Sequence, residues 1–242
     1  DKSFGIIQRV EAPKEAGLGD TLRKVSDLLR RLSLISQSLL RFHRDEEVDS
    51  CVMEILNDIL NLYYGKGRVY IFEYDKNCTH QNCVYEVVSE GVSSEKDTLQ
   101  ALPVNSTRWW TRHILSDTPI LLSSLDQLPE EADEERRLLS VQNILSIMVT
   151  PLRVGDHIWG YMGIDLVETY HEWSNEDYQW FSSLANIISL CIKLHRANQA
   201  MDRSEKLFKS IFTNIPVGVE IYDKDGNLTD MNNMDQEIFG VA

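Results

Sequence analysis

The sequence predicts an α+β fold: an antiparallel β-sheet with helices on its faces, flanked by long coiled-coil-like helices. Three observations predict it. Residues 144–165 hold two apolar runs around a polar turn. Ile147, Val149 and Leu152 precede Arg153-Val154-Gly155-Asp156-His157, and Ile158, Tyr161, Met162 and Ile164 follow it. Strand-rich residues around a Gly-Asp turn are the signature of a β-hairpin. Apolar residues three and four apart between 25 and 42, and again between 187 and 211, indicate long amphipathic helices on either side.

The elements follow in chain order. Residues 4–10 are a lone strand-like run, and a lone strand cannot stand free. Residues 1–20 are therefore expected to be the tail of an upstream domain plus a linker. Asp20 can cap a helix over residues 21–44. Val25, Leu28, Leu32, Ile35, Leu39 and Phe42 form an a/d seam there, which suits a parallel dimer coil. An ordinary amphipathic helix packed on its own domain gives the same spacing. Residues 45–48 interrupt the seam. A second helix then runs to about residue 64, burying Val48, Val52, Ile55, Ile59 and Leu62, and Gly65-Lys66-Gly67 stops it.

Residues 68–74 and 83–89 read as a strand pair around a turn at 75–82, and residues 90–105 as a polar loop. A short helix is expected over 106–115, a short strand over 120–123, a solvated acidic stretch over 126–135 and a helix over 135–141. Gly160 and Gly163, inside the second strand of the central hairpin, signal a bulge or a close backbone approach. Ser174, with Asp177 three residues on, starts a helix from about Glu176 to beyond Lys209. Ile187, Leu190, Leu194, Met201 and Phe208 continue its seam. Asn214-Ile215-Pro216 ends it, and residues 217–222 and 228–231 read as two short strands.

The chain has 242 residues, 43% hydrophobic, enough for a sizeable core. A formal net charge of -14 argues against nucleic acid or an anionic membrane surface as partners, since both need clustered Lys and Arg. Four cysteines fit intracellular usage rather than a disulfide scaffold. No apolar run approaches the roughly 20 residues of a membrane span. Because the chain opens on Asp1 rather than Met, it is expected to be an excised piece of a larger parent.

Residues 45–196 resemble a GAF domain. The motif that carries the resemblance is Ser146-Ile147-Met148-Val149-Thr150-Pro151-Leu152, then Gly155, Trp159-Gly160-Tyr161-Met162-Gly163-Ile164-Asp165, and Trp173-Ser174 with Asp177. Residues 214–242 are similar to the opening of a PAS domain, carried by Ile215-Pro216-Val217-Gly218, Asp223, Asp225-Gly226, Asn232 and Phe239-Gly240. The upstream tail would be a PAS remnant by the same logic. Residues 21–44 and 197–213 would then be signalling helices on either side of the GAF domain. Such GAF domains are regulatory modules, often in bacterial sensor histidine kinases, phosphodiesterases and transcription regulators. The resemblance implies a cytoplasmic, homodimeric, non-catalytic sensor module of a two-component system. Its partners would be flanking sensor and output domains of the same chain, with a membrane anchor left open for the parent.

In this fold the small helix tends to cover a ligand pocket on the sheet. That places Trp109, Trp110, Arg112 and His113 over the pocket, with Tyr70, Phe72, Met148 and Tyr161 lining it from the sheet. Rings beside a cation suit a flat or anionic small molecule. The same residues serve equally as core. Some family members attach a bilin to a Cys in the helix before the central hairpin; residues 135–144 have no Cys, which argues against a covalent bilin. The Asn-Lys-Phe-Asp-Glu signature of cyclic-nucleotide-binding members is absent.

Cys78, His80 and Cys83 are too few for a complete metal site and read first as a polar hairpin tip. They support one rival reading, a GAF-fold thiol reductase using Cys78 and Cys83. A ligand-free dimerisation spacer is another. No nucleophile elbow, zinc-protease or P-loop motif is present, so the chain is not expected to be an enzyme.

Overall fold

The computed structural model describes residues 15–44, 47–63 and 66–240. The strand expected over residues 4–10 lies outside the described residues, as do Tyr64, Gly65 and the side chain of Leu28. The chain divides into two compact units, Asp1–Ser189 and Leu190–Ala242.

The first unit opens with two helices, α1 (Glu15–Arg44) and α2 (Val48–Leu62). The strands β1 (Gly67–Tyr74), β2 (His80–Val88) and β3 (Leu102–Pro103) follow. Next come α3 (Arg108–Leu115), β4 (Ile120–Leu122) and α4 (Asp133–Val141). The hairpin β5 (Ser146–Val154) and β6 (His157–Leu166) leads to α5 (Asn175–Asn214). The strands form one six-stranded antiparallel sheet in the order β3-β2-β1-β6-β5-β4. The hairpin identified in the sequence supplies β6, which with β1 forms the centre of the sheet, and β5 beside it; its turn tightens to Gly155-Asp156, with Gly155 at φ +60.

Both faces of the sheet are covered. On α2, Cys51, Val52, Ile55, Leu56 and Ile59 are fully buried, and their three-four spacing turns one stripe of the helix to the sheet. Phe181, Leu184, Ala185 and Ile188 do the same for the first turns of α5. Trp159 Nε1 on β6 donates to Ser189 Oγ at 2.8 Å, and that hydroxyl donates to the Arg153 carbonyl at 2.8 Å, so α5 is tied to the central hairpin. On the other face, α3 and α4 close over a second core that contains Tyr70, Phe72, Trp110, Ile147, Val149 and Tyr161.

Gly160 explains how β1 and β6 come together. A Cβ there would sit 2.0 Å from the Phe72 carbonyl oxygen. The close approach expected of this glycine is therefore real, and a bulge between Leu152 and Arg153 lies opposite it.

Several boundaries differ from expectation. Helix α1 starts at Glu15, so Asp20 lies inside it rather than capping it; Glu15, Ala16 and Leu18 extend the helix through a stretch read as linker. β2 starts at His80, so Cys83 lies well inside a strand and not at the hairpin tip. Gln81 and Asn82 belong to the strand rather than to the turn: Gln81 is buried and Asn82 Oδ1 accepts from the Ala101 amide at 2.8 Å. The acidic run 126–135 is not wholly solvated, because Glu135 is buried.

The seam of α1 does not face its own domain. Among its described side chains Leu34 and Ser38 are the buried positions of this helix, whereas Val25, Leu32 and Leu39 stand about half exposed, with Leu29 and Leu40 beside them; Ile35 and Phe42 are half-buried. On α5, Leu190, Leu194, Met201 and Phe208 are exposed and Ile187 is half-buried. Among the described residues no helix is long and apolar enough to cross a membrane.

The second unit comprises the remainder of α5, the antiparallel ribbon β7 (Glu220–Tyr222) with β8 (Leu228–Met231), and α6 (Asn233–Phe239). The turn is built on Asp223, whose Oδ1 accepts from the Asp225 and Asn227 amides at 2.9 Å each. The sequence reading missed α6. Its signals were Asn232, which caps it by accepting from the Asp235 amide at 3.0 Å, and Gly240 at its end with φ +67.

Candidate functional site

Alternation along the strands decides which side chains meet between the sheet and the α3–α4 cover. On β1, Arg68, Tyr70 and Phe72 share that face; on β6, Tyr161, Gly163 and Asp165 do. The register pairs Arg68 with Asp165, Tyr70 with Gly163 and Phe72 with Tyr161. A cavity of about 50 Å³ lies between these residues and the cover. Tyr70, Phe72, Trp110 and Tyr161 line it with rings, and Arg68, Gln81, Glu86, Thr107, Glu135 and Asp165 line it with polar groups.

The rings are ordered against one another. Phe72 and Tyr161 stack with centroids 4.9 Å apart and planes 7° from parallel. Trp110 meets Tyr161 edge-on at 6.0 Å, and Tyr70 meets Phe72 edge-on at 5.6 Å. The Tyr161 hydroxyl donates to Gln81 Oε1 at 2.9 Å, and Gln81 Nε2 donates to Thr107 Oγ1 at 2.9 Å. This relay joins β6, β2 and the start of α3. Burial raises the Tyr161 and Tyr70 phenols well above their ordinary value, so both stay neutral. The Trp110 Nε1 hydrogen is buried and lies by the Tyr161 hydroxyl without a well-formed hydrogen bond, which leaves it only partly satisfied.

Charge enters the pocket at Arg68 and Asp165, both buried. Arg68 bridges to Asp165 at 3.2 Å and also donates to the carbonyls of Ser93 at 2.9 Å and Gln142 at 3.4 Å. Burial pushes the Asp165 carboxyl up to about 7, with Arg68 pulling it down and Glu86 pushing it further up. Glu86 accepts from Ser94 Oγ and from the Glu95 and Lys96 amides, the latter two at 3.0 and 3.1 Å. Glu135 accepts from the Trp109 and Trp110 amides at 2.9 and 3.2 Å. It sits at the N-terminus of α3, where unpaired N–H groups favour an anion.

Of the side chains expected at the pocket, Tyr70, Phe72, Trp110 and Tyr161 come together there. The other four do not. Successive helical residues point about 100° apart, so Trp109 cannot share the direction of Trp110. It is buried in the cluster and packs on His113 at 4.1 Å, while His113 Nδ1 bonds the Trp109 carbonyl at 2.8 Å. Arg112 is exposed and pairs with Glu131 at 3.8 Å. Met148 is fully buried on the opposite face, since Ile147 and Val149 on either side of it belong to the pocket-side core. The sequence reading missed Arg68 and Asp165. Each stands two residues from a residue already named, Tyr70 or Gly163, so strand alternation carried the signal.

The cysteine cluster separates. Cys83 is buried in the pocket-side core and Cys78 is half-buried at the turn with φ +51. Burial pushes the Cys83 thiol up to about 12, the opposite of what a nucleophilic thiolate needs. Among the described residues no group of His, Cys, Asp and Glu is arranged to hold a metal ion.

An antiparallel sheet with helices on both faces and a small helical cover over one of them defines an α+β domain of the GAF type. The chain belongs to the GAF domain family: the GAF domain sequence model matches residues 47–192. It is 30% identical over 178 residues to the methanogenesis regulatory histidine kinase FilI of Methanothrix harundinacea (strain 6Ac). That match covers 71% of this chain and 19% of the relative, so the chain spans about a fifth of the relative's length. Solved GAF domains share the fold. The phycocyanobilin-bound GAF domain of a cyanobacterial phytochrome is 13% identical, with a TM-score of 0.59 over 69% of this chain and 96% of its own. The GAF domain of a phosphoenolpyruvate-protein phosphotransferase from Coxiella burnetii is 15% identical, with a TM-score of 0.55 over 71% and 98%.

The bilin carried by the first of these structures does not fit the residues found here. Among the described residues no cysteine lines the cavity, and about 50 Å³ is room for about four water-sized groups, not a tetrapyrrole.

Proposed function

We propose that this chain is the sensory module of a multidomain signal-transduction protein of the histidine kinase type. It binds a small molecule between its sheet and the α3–α4 cover and passes the change to helices α1 and α5. The observation that carries this is the cavity itself: a ring-lined space with charged groups and a Trp110 Nε1 that lacks a well-formed hydrogen bond. A ligand that differs in its contacts with two packings of the helices shifts the balance between them. The half-exposed stripe of Val25, Leu32 and Leu39 suits a parallel homodimer in which such packings are discrete. The module itself performs no catalysis. The unit Leu190–Ala242, with its ribbon and capped α6, is read as the start of a PAS domain.

Native mass spectrometry of the gently sprayed chain, followed by denaturation, tests the reading. A dimer that loses a small non-covalent mass on denaturation is expected. Bare chains that give no thermal shift with any member of a metabolite library would leave the fold as a ligand-free spacer.

A further inference from the structure

The lining of the cavity is the reverse of what an anion needs. Three carboxylates, Glu86, Glu135 and Asp165, face it against one cation, Arg68. Arg68 is already engaged by Asp165 and by the Ser93 and Gln142 carbonyls, and Glu95 lies 4.0 Å from it. An incoming carboxylate or phosphate would have to break those bonds beside two other acids. The cation expected to favour an anion, Arg112, is on the exposed side of α3 and paired to Glu131.

The carboxylates of Glu86 and Glu135 are held by neutral donors, the Ser94 hydroxyl and the amides of Glu95, Lys96, Trp109 and Trp110. Hydrogen bonds of this kind fix a carboxylate in place without bringing a compensating positive charge. Around them stand the rings of Tyr70, Phe72, Trp110 and Tyr161. Acids set among aromatic rings are the chemistry that recognises an ammonium group, through ion pairing and through the negative face of each ring.

Resting on the reading of this cavity as the ligand site, we propose that it takes a small organic ammonium ion of about four non-hydrogen atoms. A hydroxyl on the same molecule would accept from Trp110 Nε1, for which the protein itself supplies no well-formed acceptor. A short amino alcohol meets both requirements within a cavity of about 50 Å³. Because Asp165 has a raised carboxyl pKa, binding a cation draws it into its ionised form and releases protons. The groups that bear on this titration are Arg68 on β1, Glu86 on β2, Glu95 in the following loop and Glu135 on α4.

The test is calorimetric titration of the full chain with four small probes of similar chain length at pH 7.5: ethanolamine, n-propylammonium, n-propanol and propionate. Saturable binding of ethanolamine is expected, weaker binding of n-propylammonium, and none of propionate. Asp165→Asn and Glu135→Gln should each weaken ethanolamine binding at least tenfold. Circular dichroism and melting of each variant check that it is folded. Affinity for ethanolamine should also rise severalfold from pH 6 to pH 8 in the unaltered chain. Propionate or propanol binding as tightly as ethanolamine would overturn the ammonium assignment while leaving the sensor reading in place. Absence of ethanolamine binding would overturn the assignment too. If a ligand of another class then appeared in native mass spectra, only the assignment would have failed; if none appeared, the sensor reading would fall with it.

Discussion

Arg31 on α1 donates a hydrogen bond to Asp177 Oδ1 in the first turn of α5, joining two helices 146 residues apart in sequence. Trp180 Nε1 returns a bond to the Arg31 carbonyl at 3.0 Å, and the guanidinium lies 5.4 Å from the Trp180 ring centroid. Asp177 also accepts from the Ser174 amide and hydroxyl, at 3.0 and 2.8 Å. One carboxylate thus caps α5 and anchors α1. Burial alone would raise the Asp177 carboxyl, but His171, Ser174 and Arg31 outweigh it and hold it well below the usual range.

Arg31→Ala is therefore expected to cost about 2 kcal/mol, between the values for exposed and buried pairs. It should loosen α1 from the domain without altering the sheet. Asp177→Asn should cost at least as much, since it removes the pair and weakens the cap. Because the folded carboxyl is depressed, its contribution is fully present above the unfolded value near ~4 and is lost as pH falls below it. Urea unfolding of both variants at pH 7 and pH 3 checks this: the difference between parent and Asp177→Asn should shrink at the lower pH.

Asp165 has the opposite sign. Its folded carboxyl is raised to about 7, so its contribution is full below the unfolded value near ~4 and is lost as pH rises through about 7. The slope is at most about 1.4 kcal/mol per pH unit. Asp165→Asn should flatten the fall in stability between pH 5 and pH 7.5. Arg68→Ala should be far worse, roughly 3–5 kcal/mol at pH 7.5, because it leaves a buried carboxylate without its cation. A parent chain with no decline in stability across this window would refute the placement of Asp165.

The contrast between these residues explains what the sequence made legible. The central hairpin, the helix spacing and the Trp-Ser start of α5 are local patterns, and they fixed the order of the elements. Tyr70, Phe72, Trp110 and Tyr161 were recoverable because they are large rings on predicted strands and a predicted helix. Met148 went wrong because its facing depends on register. It pairs with Ile164, one position away from the Gly163 that faces the pocket, and a slip of one residue reverses every side chain. Arg68–Asp165 and Arg31–Asp177 are contacts between residues remote in sequence, and nothing local marks a charge as paired. Helical geometry alone separates Trp109 from Trp110, since successive residues point about 100° apart.

The cysteines divide by burial rather than by sequence proximity. Cys51 and Cys83 are buried, whereas Cys78 and Cys191 are partly exposed. Ellman's reagent at pH 8 should therefore modify Cys78 first and Cys191 more slowly, the latter because burial raises its thiol. Cys51 and Cys83 should react only after denaturant is added. Fast labelling of Cys83 in the folded chain would reopen the reductase reading.

The exposed stripe on α1 makes a separate prediction. Leu32 and Leu39 are about half exposed and outside the domain core, so Leu32→Glu with Leu39→Glu should leave the melting of a monomer unchanged. If the stripe is the dimer seam, the double variant should sediment as a monomer at concentrations where the parent is a dimer. Identical sedimentation of the two proteins would remove α1 from the interface.

The two glycines of β6 separate packing from pocket closure. At Gly160 an added Cβ meets the Phe72 carbonyl oxygen at 2.0 Å, and a backbone oxygen in the middle of the sheet has nowhere to go. Gly160→Ala should therefore push β1 from β6 and cost more than about 3 kcal/mol. At Gly163 the Cβ meets Tyr70 ring atoms at 2.5 Å. That ring borders the cavity and can turn into it, so Gly163→Ala should cost only about 1–3 kcal/mol. The displaced ring would fill a space of only about 50 Å³, and any small molecule held there would be excluded. Chemical unfolding ranks the two variants, and a crystal structure of Gly163→Ala shows where the ring goes. Equal losses at both positions would mean that Tyr70 is as fixed as the backbone, and that the cavity is too rigid to open for a ligand.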